Sequence, residues 1–337
     1  MPSPRLPRAV FAMDPVHLPL LFPPHLMTRL SRITAIDPAL VVRDFTDPAA
    51  AEALAHAEIL VTGWGCPRLD SPALAAAPRV RTVLHAAGSV RSLVGEELWD
   101  RGISVSSAVT GNAVPVAEYT LAMILLAGKD AFAHRERFRA ARVHPTPAET
   151  ATTGNVGRRV GVIGASRVGR RLLELLRPFD LTVLLHDPYV EPGEALSLGA
   201  EPVTLDDLLG RSDIVTLHAP DIPETYRMLD AGRLALIRDG GLLINTSRGA
   251  LIDPVALTEE LVSGRLHAVL DVTEPEPLPP GSALYDLPNV FLTPHIAGSL
   301  GNELERLGQI VVEEAERVAA GEPLGHEVRV GDLGRVA

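Results

Sequence analysis

Short apolar runs alternate with helix-like stretches along almost the whole chain, and this alternation constrains the fold more than any other feature. In a first series, Ala9-Val-Phe-Ala, Leu40-Val-Val-Arg, Ile59-Leu-Val-Thr, Val83-Leu-His-Ala and Ile103-Ser-Val-Ser are each followed by a segment of helical character, such as 47–57 or 92–101. A second series predicts strands over 159–163, 181–186, 213–217, 241–245, 267–272 and 289–292. Strands joined through helices need crossover connections, so both series imply parallel sheets covered by helices, an α/β fold of the doubly wound kind. Between the two series lie one long helical pattern over 112–134, with Val116, Ala117, Leu121, Ile124 and Leu125 in register, and a polar, Pro-containing connector over 143–155. A last helical pattern, 300–320, is expected to return to the first domain. Only Glu327-Val-Arg-Val looks strand-like beyond it.

Composition narrows the class. A chain of 337 residues suits two domains of about 150 residues. With 46% hydrophobic and 22% charged residues it reads as globular. A net charge of −11 and scattered Lys and Arg argue against a nucleic-acid partner. The single cysteine, Cys66, cannot form an internal disulfide and has no His or Cys at ligand spacing, which points to a reducing cytoplasm and no structural metal. Prolines and Asp14 interrupt the N-terminal segment before a signal-peptide pattern is complete. The most apolar segment, 120–128, is about half of what a membrane helix requires.

After the first strand of the second series comes Gly161-Val-Ile-Gly-Ala-Ser-Arg-Val-Gly169, which then opens a helix. Strand, glycine-bearing loop and helix in that order form a dinucleotide-binding signature: a tight turn at Gly164, a helix packed close at Gly169, and a helix N-terminus facing the pyrophosphate. Ser166 stands where the middle glycine is usual. Its β-carbon crowds the tightest approach, yet its hydroxyl can donate to a phosphate oxygen, so binding is expected to persist with altered affinity. At the end of the next strand Asp187 is placed to accept from the adenosine ribose hydroxyls and to repel a 2′-phosphate, which favours NAD over NADP.

Three later segments, Asn245-Thr-Ser-Arg-Gly249, Asp271-Val-Thr-Glu-Pro-Glu-Pro277 and Thr293-Pro-His-Ile-Ala-Gly298, each follow the C-terminal end of an expected strand, the edge where open α/β sheets build their sites. One Arg, one Glu and one His at a single rim meet the needs of 2-ketoacid reduction: a cation for the substrate carboxylate and carbonyl, a proton donor, and an acid that tunes the donor. His295 is the expected donor, with a neighbouring carboxylate favouring its protonated form. Arg248 offers the planar fork. Taken singly, each has a plainer reading as a surface or loop residue; their coincidence at one sheet edge favours the catalytic one. His218 is read as a packed strand-end residue at the cofactor wall. Trp64 and Cys66 are read either as core or rim packing or as lining the substrate pocket.

Across 83–312, and most closely in Val116-Ala-Glu118, GVIGASRVGRRL, LHAPDIPET, INTSRGALID, LDVTEPEPLP and LTPHIAGS, the sequence resembles the D-2-hydroxyacid dehydrogenase family. The resemblance implies a flavodoxin-like substrate domain formed discontinuously by 1–115 and 300–337, and a Rossmann NAD-binding domain over 116–299. It places Arg248, Glu276 (rather than Glu274) and His295 on the catalytic Arg, Glu and His. Asp271 falls on a carboxylate that contacts the nicotinamide amide. Gly164, Ser166, Arg167, Val168, Gly169, Asp187, Ala219, Pro220, Thr225, Thr246, Ser247, Ala297 and Gly298 fall on positions lining NAD. Gly88, Ser89 and Val90 fall on the loop whose amides hold the substrate carboxylate. There the chain departs from the family's Gly-x-Gly-x-Asp-Asn pattern, and Arg91 reverses a charge: it is either a solvated residue or a contact to a second acidic group. The resemblance further implies D stereochemistry, a homodimer formed through the NAD domains and the long helix near Asn112, and two domains closing over a cleft. With so little chain after the last helical pattern, no added regulatory domain is expected. The alternatives are an NADH-sensing binding protein like the C-terminal binding protein corepressors, or a dehydrogenase of another small acid such as formate.

Overall fold

The computed structural model describes residues 5–332. The described residues form two compact units, one made of 5–113 together with 299–332, the other of Val114–Gly298.

In the first unit, β1 (Arg8–Ala12), β2 (Ala35–Val42), β3 (Ile59–Thr62), β4 (Thr82–His85) and β5 (Ser104–Ser107) form a five-stranded sheet in the order β2-β1-β3-β4-β5, with every pairing parallel. This is the flavodoxin order, whose switch point lies between β1 and β3. Strands buried on both faces read as continuous apolar runs, as Ile59-Leu-Val-Thr does, because helices cover each side. The last helix, Leu304–Ala320, returns to this unit and packs against the helix Pro24–Ile33, burying Leu304, Leu307, Ile310 and Val311. Full burial of each such side chain contributes about 1.5–3 kcal/mol.

In the second unit, β6 (Arg159–Ile163), β7 (Thr182–His186), β8 (Glu201–Pro202), β9 (Ile214–Leu217), β10 (Leu242–Asn245), β11 (His267–Leu270) and β12 (Val290–Leu292) form a seven-stranded parallel sheet in the order β12-β11-β10-β9-β6-β7-β8. The strand sequence reverses between β6 and β9, and there the Rossmann fold leaves its crevice. Apolar side chains fill both faces, Leu208, Val215 and Leu243 on one and Val160, Leu172 and Ile244 on the other.

Several expectations need correction. The helical pattern over 112–134 is two helices, Val109–Gly128 and Ala131–Ala141, separated at Lys129 and Asp130; Asp130 takes a left-handed φ of 49° that stops the first. The apolar stretch 120–128 is therefore only part of a 20-residue helix long and apolar enough, by length and composition, to cross a membrane. Within this fold it is a core helix: Ala117, Thr120 and Ile124 are fully buried. The two-residue strand β8 went unforeseen, because a pair ending in proline carries no periodicity. The segment from Glu327 contributes one isolated antiparallel bridge to Ser106, not a strand, and Val330 begins a 3-10 turn.

Candidate active site

The second unit's rim is built by register. Asn245 of β10 lies level with Leu270 of β11, and Leu270 with Leu292 of β12, so the loops after these three strands leave the sheet side by side. They carry Arg248, Glu276 and His295. Gly249 holds two of the loops together: an added Cβ there would run into the backbone of Thr273 and Glu274. The Arg248 turn is clamped by Asn245, whose Oδ1 accepts from the Ser247 amide at 3.0 Å and whose Nδ2 donates to the Arg248 carbonyl at 2.8 Å. Sequence reasoning had not assigned Asn245 a role. The signal was present, since an Asx residue bonding two residues ahead is a recognised turn former.

Glu276 and His295 meet as expected, Glu276 Oε1 lying 2.6 Å from His295 Nδ1, with both side chains about half exposed (43% and 50%). An ionised carboxylate only accepts, so Nδ1 bears the hydrogen in this pair. His295 occupies a left-handed φ of 54°. For a residue with a β-carbon this conformation costs about 1–2 kcal/mol and persists only where the surroundings enforce it. The enforcement is visible: the His295 amide donates to the carbonyls of Asp271 (2.9 Å) and Thr293 (3.0 Å). The Asp271 carboxylate, 2% exposed, accepts from Thr293 Oγ1 (2.6 Å), Ile296 N (2.8 Å) and Ala297 N (2.9 Å). Arg248 is exposed, and its Nη1 donates to the Ser247 carbonyl at 2.6 Å; among the described residues no carboxylate pairs with it.

The glycine loop has the geometry a dinucleotide needs. Gly164 adopts φ 95°, and an added Cβ would lie 2.7 Å from Ala219 N and 2.8 Å from the His218 carbonyl, so only glycine fits that turn. Gly169 packs against the Gly164 carbonyl with no room for a side chain. Ser166, by contrast, sits at φ −61° and ψ −178°, extended backbone open to any residue. Its Oγ caps the helix Arg167–Leu176 by accepting from Gly169 N at 3.4 Å, which leaves its hydrogen available to an anion. Arg167 is exposed on the first turn of that helix, with Val168 partly buried beside it. The Asp187 carboxylate folds back on the loop, Oδ2 accepting from Ala165 N at 2.7 Å and Oδ1 from Tyr189 N at 2.8 Å. Beside it a hollow of about 610 Å³ is lined by His186, Asp187, Val190, Val203 and Thr204.

Other residues expected along the cofactor wall also bond within the rim. Thr246 turns its hydroxyl to Thr120 of the long helix at 2.9 Å. Ser247 donates to the Ala219 carbonyl at 2.9 Å, tying the loop after β10 to the loop after β9. Thr225 spends its hydroxyl within the 219–225 loop, on the Pro220 and Ile222 carbonyls. Gly298 is half-buried after Ala297, at the end of the His295 loop. His218 is fully buried with Nε2 2.9 Å from Thr216 Oγ1, and burial pushes its pKa down to about 3, so it is a neutral packed residue.

In the first unit, the loop after β4 keeps Gly88 against the Asn112 side chain, and the Ser107 hydroxyl donates to the Gly88 carbonyl. Ser89 Oγ accepts from the Arg91 amide at 3.3 Å, and Val90 is buried. Trp64 packs edge-on to His17 with ring centres 5.5 Å apart. Cys66 is half-buried, its thiol pushed up to about 12 by desolvation. No cluster suited to a metal ion is found among the described residues.

The profile of the D-isomer specific 2-hydroxyacid dehydrogenase NAD-binding domain matches residues 121–297. D-3-phosphoglycerate dehydrogenase of Mycobacterium tuberculosis is 34% identical over 266 residues, covering 78% of this chain and 49% of that protein. Glyoxylate reductase of Korarchaeum cryptofilum is 30% identical over 260 residues, 75% of this chain and 77% of that protein. A crystal structure of a Thermus thermophilus protein superposes with a TM-score of 0.76 at 29% identity, covering 96% of this chain and 100% of that one. The chain spans about half the length of the phosphoglycerate dehydrogenases it matches. Sheet order, glycine loop and matched profile agree: this chain belongs to the D-isomer specific 2-hydroxyacid dehydrogenase family, with an NAD-binding Rossmann domain.

Proposed function

We propose that the chain is an NAD-dependent oxidoreductase interconverting a small D-2-hydroxyacid and its 2-ketoacid. The observation that carries this reading is the Glu276–His295 pair, 2.6 Å apart on a rim that also bears Arg248. When bound, NAD would supply or accept the hydride. Gly164, the Ser166 hydroxyl and Arg167 would hold its pyrophosphate at the helix N-terminus. Asp187 would receive the adenosine ribose hydroxyls, since each of its oxygens accepts only one main-chain amide and retains acceptor capacity. The hollow beside it suits the adenine. Asp271, already holding three donors, would meet the carboxamide.

For the substrate, Arg248 binds the carboxylate and polarises the adjacent carbonyl, concentrating positive charge where negative charge develops. In reduction, His295 gives the proton on Nε2 to the nascent alkoxide; in oxidation it takes the hydroxyl proton back. Glu276 fixes the tautomer and orientation of the imidazole through Nδ1. The amides of Ser89 and Val90 are proposed as further donors to a carboxylate. A homodimer working in the cytoplasm belongs to the same reading, supported by the family.

The test is NADH oxidation over a panel of mono- and dicarboxylic 2-ketoacids, with the chirality of the product determined. Turnover giving a D-2-hydroxyacid is expected. NADH-dependent oligomerisation without turnover, or hydride transfer from formate with no 2-hydroxyacid formed, would overturn the proposal.

A further inference from the structure

The carboxylate that enforces the strained backbone of His295 is itself held, and by residues far from it in sequence. Asp271 can only accept, so the 2.6 Å bond from Thr293 is donated by the threonine hydroxyl. That hydroxyl has one hydrogen, so the 2.8 Å bond between Thr293 Oγ1 and Tyr119 is donated by the phenol. A one-way chain results, Tyr119 to Thr293 to Asp271, running from the long helix Val109–Gly128 to the loop that carries His295. Burial and the neighbouring Asp271 charge push the Tyr119 pKa up, against the lowering effect of its bond to Thr293, which keeps the phenol protonated as the chain requires.

We infer that Tyr119 and Thr293 are positioning residues for the proton-transferring histidine: they orient the Asp271 carboxylate, which sets the His295–Ala297 backbone. The inference rests on the dehydrogenase reading. Asp271 accepts from Ile296 and Ala297, one amide per oxygen, and its carbonyl accepts from His295. A rotation of the carboxylate therefore breaks both amide bonds at once and lets the left-handed turn relax. A buried carboxylate that loses a donor carries a penalty the remaining donors do not cancel. The phenol is placed to fix the threonine rotamer, and the threonine to fix the carboxylate.

The test uses full-length Tyr119→Phe, Thr293→Val, Thr293→Ser and the double variant Tyr119→Phe/Thr293→Val. Two readouts are taken: hydrogen exchange of the 295–298 amides, which needs no turnover, and the steady-state constants. Thr293→Val should raise exchange at Ile296 and Ala297 about tenfold and lower kcat about tenfold, with KM for the ketoacid within about twofold of wild type. Tyr119→Phe should do the same to a smaller extent, and Thr293→Ser should restore both values. The double variant should be no worse than Thr293→Val, since the two residues act in one chain. Wild-type exchange and kcat in both single variants, or losses that multiply in the double variant, would overturn the inference. Exchange that responds as expected in a protein without ketoacid turnover would uphold the positioning chain and overturn the dehydrogenase reading alone.

Discussion

Ser166 shows how a residue can depart from a motif while the motif's geometry survives. A left-handed turn is required only at Gly164; at Ser166 the backbone is extended, so a serine is accommodated and gains a capping role that glycine fills less well. Nothing in the linear sequence separates these two positions, because the difference lies in φ. Histidines make the same point through solvation. Each unit holds one buried neutral imidazole, His85 bonded to Thr62 in the first and His218 bonded to Thr216 in the second, and burial lowers their pKa values from 6.5 to about 4 and about 3. An unfolded histidine binds a proton below pH 6.5 that these folded ones refuse, so unfolding takes up protons and stability falls with acidification. The contribution is fully present above the unfolded value of 6.5 and is lost as pH drops toward the folded values, at roughly 1.4 kcal/mol per pH unit for each histidine. Unfolding midpoints measured at about pH 7 and about pH 5.5, one above and one below the unfolded value, should show this loss, and His218→Gln should show a shallower one. An equal slope in the variant would mean that the imidazole is already protonated in the fold.

At the scale of elements, the rim was legible because strand ends can be read from apolar runs, and parallel strands bring their C-terminal ends to one edge. Residues 159–163 were placed without error, and the remaining strands of the second sheet to within a residue or two, β8 excepted. What could not be read is how loops lock to one another. Thr246, Ser247 and Thr225 are readable only as positions lining the cofactor, while their hydroxyls also lock the rim through Thr120, Ala219 and the 219–225 loop. Thr293 and Tyr119 stand 174 positions apart, so no local pattern could join them. Gly249 is the clearest of these long-range requirements. Because a Cβ there would meet the Thr273–Glu274 backbone, Gly249→Ala must push that loop away and carry Glu276 with it. The expected result is a lowered melting temperature, by the equivalent of about 1–3 kcal/mol, together with a kcat loss larger than the KM change. A variant with wild-type kcat would show that the two loops move independently.

For the molecule as a whole, chain length anticipated two units, and the alternation of runs anticipated their α/β class and parallel sheets. The break between the two helices at Lys129–Asp130 was hidden, since apolar periodicity runs through it and only the left-handed Asp130 reveals the stop. The second unit is one continuous stretch, Val114–Gly298, and holds the glycine loop, Asp187 and the Arg248, Glu276 and His295 rim together. The glycine loop and Asp187 proposed for the dinucleotide thus lie on different loops of that sheet edge from His295, and substitution of the histidine should separate proton transfer from cofactor affinity. The most direct measurement is kcat for His295→Asn alongside its Kd for NADH, determined on one preparation. Turnover should fall by about 10²–10⁴-fold with NADH affinity within about twofold of wild type. Retained turnover in that variant, with the cofactor still bound, would contradict the assignment of His295 as the proton-transferring group.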